Sequence, residues 1–227
     1  MKLSQALRPV RVWDLPTRVF HWLLAAAVIG MVITGKLGGN AMVWHVRLGL
    51  LVFTLLGFRV VWGLIGGRWS RFASFIYAPS TLFRYLRGRS TPDQQLDVGH
   101  SPLGALSVFG LLGVLIAQVA TGLVADDEIA TVGPLNILVS NATGLQASGW
   151  HTGWGLWLLL ALVALHLAAI AFHRWRGRDL LTPMLSGDKL LPPDVPAAAD
   201  NATRRVLALL VMLAFAALAL WIARQGG

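Results

Sequence analysis

Four of the six histidines, His21, His45, His151 and His166, fall in or at the ends of long apolar runs. An ionisable side chain in such surroundings is expensive and is normally there for function. Imidazole suits this setting because it ligates transition metals while neutral and so brings no charge of its own into a low-dielectric site. A single histidine of this kind reads as a hydrogen bond between helices. Four of them read as ligands, provided that the chain gathers them into sets.

The elements that must gather them follow from composition. The chain has 227 residues, 56% hydrophobic and only 13% charged, with a mean hydropathy of +0.66, which is too apolar for an ordinary soluble domain. In lipid every backbone polar group must be satisfied internally, and long unalternating apolar runs do this as helices. Five spans are expected, at about Val19–Gly35, Val43–Gly66, Pro102–Val124, Trp150–His173 and Val206–Ile222. The first follows Lys2, Arg8, Arg11 and Arg18 but has no small-residue cleavage site before Lys36, and reads as a retained helix rather than a signal peptide. The chain holds no cysteine, which excludes disulfides, iron–sulfur ligation and covalent haem attachment. Its net charge of +9 does not point to nucleic acid, because the basic residues flank the spans instead of forming a basic domain.

Those basic residues set an orientation. Arg59, Arg68, Arg71, Arg84, Arg87 and Arg89 lie in or beside the connection after span two, and Arg174, Arg176, Arg178, Lys189, Arg204 and Arg205 lie after span four. The connection after span three carries Asp126, Asp127 and Glu128 instead. The positive-inside rule then puts the N-terminus inside and the C-terminus outside, with Trp13, Trp69 and Trp175 at the inner interface and Trp44, Trp150 and Trp221 at the outer. On this topology His21 starts span one at the inner face, while His45 and His151 start spans two and four at the outer face. His166 follows His151 by fifteen positions, about 22 Å deeper at 1.5 Å per residue. The histidines therefore pair by depth, His45 with His151 and His21 with His166.

Two pairs of imidazoles suit two haems b held without covalent attachment. Bis-nitrogen ligation fills both axial positions of the iron, leaves no open site for oxygen and favours electron transfer. Zinc or copper would want three or four clustered ligands, and a proton relay would want carboxylates in the spans, where there are none. Gly30, Gly35, Gly49, Gly57, Gly113, Gly122, Gly153 and Gly155 offer small surfaces to a macrocycle or to neighbouring helices. Arg18 and Arg47 flank His21 and His45 and are candidates for the haem propionates. The fold expected is an all-α integral membrane protein, a four-helix di-haem transmembrane bundle in residues 1–187 with a fifth C-terminal transmembrane helix in 204–227. Residues 188–203, with LPPDVPAAAD, read as a linker that detaches that helix, and Trp69–Arg89 reads as an interfacial amphipathic segment.

Five segments resemble the prokaryotic cytochrome b561 and nickel–iron hydrogenase b-type cytochrome family: VWDLPTRVFHW (Val12–Trp22), WHVRLG (Trp44–Gly49), GHSPLGAL (Gly99–Leu106), LVALHLAAI (Leu162–Ile170) and RGRDLLTPMLSGDK (Arg176–Lys189). They run in family order over nearly all of residues 12–189. The resemblance implies haem ligation by His21, His45 and His166, and electron exchange across the bacterial inner membrane between the quinone pool and a separate redox partner. A hydrogenase, another dehydrogenase or a c-type cytochrome would serve as that partner. An alternative is a stand-alone oxidoreductase whose outer haem meets a small oxidant such as superoxide. Two departures stand out. Relatives space the span-four ligands fourteen positions apart, where His151 and His166 are fifteen apart, a difference that a one-residue bulge would absorb. Relatives often carry Asn where Ser101 stands, in the inner-face motif with His100 that lies near quinone in similar cytochromes.

Overall fold

The computed structural model describes residues 6–89, 95–129 and 131–226, so Lys2 lies outside the described residues. Strand β1 (Arg8–Arg11) leads into α1 (Leu15–Leu37), and after a short turn come α2 (Met42–Ile65) and α3 (Pro79–Leu86). Then follow α4 (Pro102–Val124), α5 (Asn141–Thr152), α6 (Trp154–Trp175), α7 (Leu181–Ser186), β2 (Asp188–Leu191) and α8 (Ala202–Ala223). All five expected spans are helices long and apolar enough to cross a membrane.

Helix ends follow local chemistry. Asp14 caps α1 by accepting the Thr17 amide at 2.8 Å, with Pro16 in the first turn where its missing N–H costs nothing. The helix stops where Gly38 and Gly39 take positive φ. Ser101 caps α4, accepting the Gly104 amide at 3.2 Å, with Pro102 as the first helical residue. The fourth span departs from expectation. It is two helices, not one, because helical geometry is interrupted at Gly153, where a Cβ would stand 2.5 Å from the Gly149 carbonyl oxygen. His151 therefore sits in the last turn of α5 rather than on the helix that carries His166.

The chain divides into two compact units. One gathers the residues up to Val19 with Val60–Phe109 and His166–Ala208. Here β1 and β2 pair antiparallel, Arg8 opposite Leu191 and Arg11 opposite Asp188. Val10, Val12, Trp13, Trp69, Val98, Val195 and Ala198 form a buried cluster around them. Trp13 and Trp69, expected at a lipid interface, are core residues, and the Trp69 indole donates to the Pro196 carbonyl at 2.9 Å. At 188–203 the stretch expected as a linker is built into this unit. Ala198 N donates to the Arg11 carbonyl at 2.7 Å, and Asp200 pairs with Arg11 at 3.0 Å and Arg205 at 2.9 Å. Gly187, in the left-handed region at φ 94, lets its carbonyl accept from both Val12 and Trp13, where a Cβ would stand 2.7 Å from the Trp13 oxygen.

The deepest polar group of this unit is Asp14, fully buried. Besides the Thr17 amide it accepts from Trp62 Nε1 at 3.1 Å, the Gly67 amide at 3.1 Å and Ser70 Oγ at 3.0 Å. One carboxylate thus fastens the start of α1 to the end of α2 and the turn beyond it. The segment after that turn carries α3, with Ile76, Phe83 and Leu86 exposed, the surface that an interfacial segment needs.

The other unit comprises Phe20–Arg59, Gly110–Leu165 and the residues from Leu209 on. In it Phe215 of α8 packs on Gly57 of α2, where a Cβ would stand 2.3 Å from its ring, and meets Phe53 edge-on at 6.4 Å. Gly57 is thus a helix-packing glycine. Arg59, inside the expected span two, lies within α2 and is buried.

Two outcomes test this architecture. Burial raises the Asp200 carboxyl pKa, but hydrogen bonds from Arg205 and the Leu15 amide, with the charges of Arg205 and Arg11, outweigh it and leave the group below the ordinary carboxylate value. A depressed folded pKa stabilises above the unfolded pKa, and that contribution fades as pH falls through the folded value. Asp200→Asn should cost about 1–3 kcal/mol at pH 7, measured by thermal unfolding in detergent, and the gap to wild type should close as pH falls below the ordinary carboxylate range. A chain ending at residue 191 loses Val195, Ala198 and Asp200 and should accumulate poorly, whereas one ending at residue 201 should remain in the membrane.

Candidate metal centre

His45 opens α2 and His151 closes α5, and the structure brings their rings together. The centroids are 5.9 Å apart and the planes stand at 87°. Each ring is fixed by a different helix. His45 Nδ1 lies 3.0 Å from the Met31 carbonyl oxygen and 3.4 Å from Thr34 Oγ1, both on α1. His151 Nδ1 lies 2.9 Å from the Gln118 carbonyl oxygen and 3.5 Å from Thr121 Oγ1, both on α4. A carbonyl only accepts, so Nδ1 carries the proton in both rings and each Nε2 is left with a lone pair.

That is the donor set of a metal site. Ligating histidines characteristically give their second N–H to a carbonyl or carboxylate, which fixes tautomer and ring orientation. Among the described residues no three His, Cys, Asp or Glu come together as a metal cluster. A pair of imidazoles alone leaves the remaining positions to another ligand set, as the four nitrogens of a haem provide. The residues present fit haem.

Glycines complete both ring seats. A Cβ on Gly35 would stand 3.1 Å from His45 Cε1 and Nδ1, and one on Gly122 would stand 2.9 Å from His151 Cε1. A Cβ on Gly113 would meet nothing within 4 Å, leaving the α4 surface open there. Gln118 serves twice, since its side-chain amide also donates to the His151 carbonyl at 3.0 Å, beside the interruption at Gly153.

The other expected residues are placed as follows. His21 lies on α1, half-buried and edge-on to Trp22 at 5.1 Å. His166 lies half-buried on α6. Arg47 stacks over Trp44 at 5.0 Å on the exposed start of α2. Arg18 donates to the Leu185 carbonyl of α7. His100 is held between the rings of Trp13 at 4.7 Å and Phe75 at 4.4 Å. Its carbonyl accepts from Tyr77 Oη at 2.7 Å, and burial, then the nearby Asp97 and Tyr85, push the Tyr77 phenol above its ordinary pKa and keep it a donor. Ser101 spends its hydroxyl on capping α4.

Sequence reasoning missed Thr34, Gln118 and Thr121, although a signal was there. The segments MVITG (Met31–Gly35) and QVATG (Gln118–Gly122) repeat one pattern, a residue whose carbonyl accepts from the ring, followed at the third and fourth positions by Thr and Gly.

Residues 12–187 match the family described as prokaryotic cytochrome b561. The chain is 23% identical to the Escherichia coli protein named "Probable Ni/Fe-hydrogenase 1 B-type cytochrome subunit", over 69% of this chain and 80% of the relative. It is also 23% identical to the "Probable Ni/Fe-hydrogenase B-type cytochrome subunit" of Bradyrhizobium diazoefficiens, over 79% and 85%. No solved structure gives a significant match. Because the matched region spans most of the chain and contains both paired imidazoles with the helices that seat them, the chain belongs to the prokaryotic cytochrome b561 family, as a multi-pass b-type cytochrome of the cytoplasmic membrane.

Proposed function

We propose that this cytochrome carries electrons across the bilayer between the quinone pool and a hydrogenase-type partner, using two haems b, one held by His45 and His151 and the other by His21 and His166. The observation that carries the reading is the His45–His151 pair, two protonated Nδ1 groups anchored to carbonyls and two Nε2 lone pairs left to a metal. Haem bound there would supply one-electron redox chemistry, and these histidines would hold it. The protein residues hold the imidazoles and keep water out with apolar helices. Arg47, two positions beyond His45, is the proposed partner of a propionate on that haem, and Arg18, three positions before His21, of one on the other.

The partner follows from composition and likeness. A chain without cysteine cannot ligate an iron–sulfur cluster through thiolates, so the catalytic metal of any such system must belong to another subunit. Relatives are named for nickel–iron hydrogenase, and a hydrogenase is the proposed one here. Quinone exchange is proposed at His100, with Ser101 setting the start of α4 beside it. Trp13 and Phe75 pack against the His100 ring at tilted angles, and an imidazole so placed can exchange the protons that accompany quinone redox chemistry.

Two measurements decide these points. A pyridine haemochrome assay should give about two b haems per chain, extractable by acid acetone because no thioether is possible. His45→Ala and His151→Ala should remove one spectral component, and His21→Ala and His166→Ala the other. One haem per chain, or loss of the same component in His45→Ala and His166→Ala, would contradict the paired assignment. His100→Ala should slow haem reduction by a quinol analogue on the order of 100-fold with both haem spectra intact. An unchanged rate would move the quinone site elsewhere.

A further inference from the structure

The repeated Thr–Gly pair has a geometry that helix packing alone does not require. In an α-helix the carbonyl of residue i accepts the amide of residue i+4 and keeps a second lone pair. The side chain at i+4 leans toward the helix N-terminus and covers that lone pair. In both seats residue i+4 is glycine, Gly35 over the Met31 carbonyl and Gly122 over the Gln118 carbonyl, and the imidazole occupies the vacated space. The residue at i+3 is threonine in both. Thr34 Oγ1 donates to the Gly30 carbonyl at 2.7 Å and reaches the Met31 oxygen at 3.3 Å. Thr121 Oγ1 donates to the Ala117 carbonyl at 2.7 Å and reaches the Gln118 oxygen at 3.1 Å. With its hydrogen directed back along the helix, each hydroxyl turns a lone pair toward the histidine Nδ1.

The same five-residue device therefore occurs twice, on α1 and on α4, each time gripping a histidine of the next spanning segment. We propose that Thr34–Gly35 and Thr121–Gly122 are a duplicated positioning element that holds the two axial imidazoles near perpendicular and, by accepting from Nδ1, sets the donor strength of each Nε2 toward the iron. This rests on the reading of His45 and His151 as haem ligands. A stronger acceptor at Nδ1 makes the imidazole more basic and favours ferric iron. Removing the hydroxyl therefore raises the reduction potential of this haem. Perpendicular ligand planes leave the iron dπ orbitals nearly degenerate, so the ferric state has a highly anisotropic low-spin spectrum. Tilting either ring out of that arrangement makes the spectrum rhombic.

The test uses the full-length protein in detergent, with haem content, redox potentiometry and low-temperature electron paramagnetic resonance as readouts. Thr34→Val and Thr121→Val should keep the haem and shift upward the potential of the component lost in His45→Ala, leaving the other component unmoved. Thr34→Ser and Thr121→Ser keep the hydroxyl and should restore the wild-type potential. Gly35→Ala and Gly122→Ala place a methyl against the ring and should convert the anisotropic signal to a rhombic one or empty that site alone. Wild-type potentials in the valine variants, a rhombic signal in the wild type, or unchanged spectra in the alanine variants would overturn the proposal. Wild-type protein without haem, or haem content unaffected by His45→Ala, would instead overturn the ligand reading beneath it.

Discussion

A polar group placed in an apolar phase has to find its partner inside the protein, and this constraint organises both units of the chain. Helices meet it for the backbone. Imidazoles meet it only if something offers an acceptor to Nδ1, and within a helix bundle the acceptors in supply are carbonyls already engaged in their own helix. The second lone pair of such a carbonyl is the available acceptor, and glycine four residues on is what uncovers it. The requirement to satisfy one buried N–H thus dictates tautomer, ring orientation and the direction in which the remaining nitrogen is free to bind.

Asp14 obeys the same constraint with the opposite sign. A fully buried carboxylate is tolerable only when its oxygens are filled with donors. Four of them converge on it, from α1, from Trp62 of α2, and from Gly67 and Ser70 of the following turn. A two-stranded ribbon as short as β1–β2 is marginal alone. Here it closes over Val12, Trp13 and Trp69, and Arg11 ties it to Asp188 and Asp200. Tryptophans that composition would assign to a lipid interface are drawn inward because this unit has a core of its own.

Legibility in the sequence tracks how far each feature depends on neighbours. Spans were readable because helix formation in lipid needs only a long apolar run, and α4 has the bounds that its residues imply. The approach of His45 to His151 is readable from depth, since charge asymmetry orients the spans that carry them. Residues whose meaning is tertiary were not readable. Thr34 and Thr121 look like ordinary mid-helix threonines bonding back one turn, and only a ring from another helix reveals their second role. Pro and Ala in 188–203 imitate a tether, yet Val195, Ala198 and Asp200 find partners far away in sequence. Arg59 lies inside the apolar run of span two, but its burial within α2 depends on neighbouring helices and is not read from composition.

The interruption at Gly153 joins these threads. It falls between His151 and His166, and it ends α5 just past the ring that α4 holds. Ending a helix leaves carbonyls without intrahelical donors, and Gln118 answers for one of them, the carbonyl of His151 itself. The same residue's backbone oxygen accepts the His151 Nδ1. The ring is therefore held at both its side chain and its main chain by one residue of α4, where His45 is held by its side chain to α1. Two carbonyls, two glycines and one glutamine thus fix the orientation of both imidazoles.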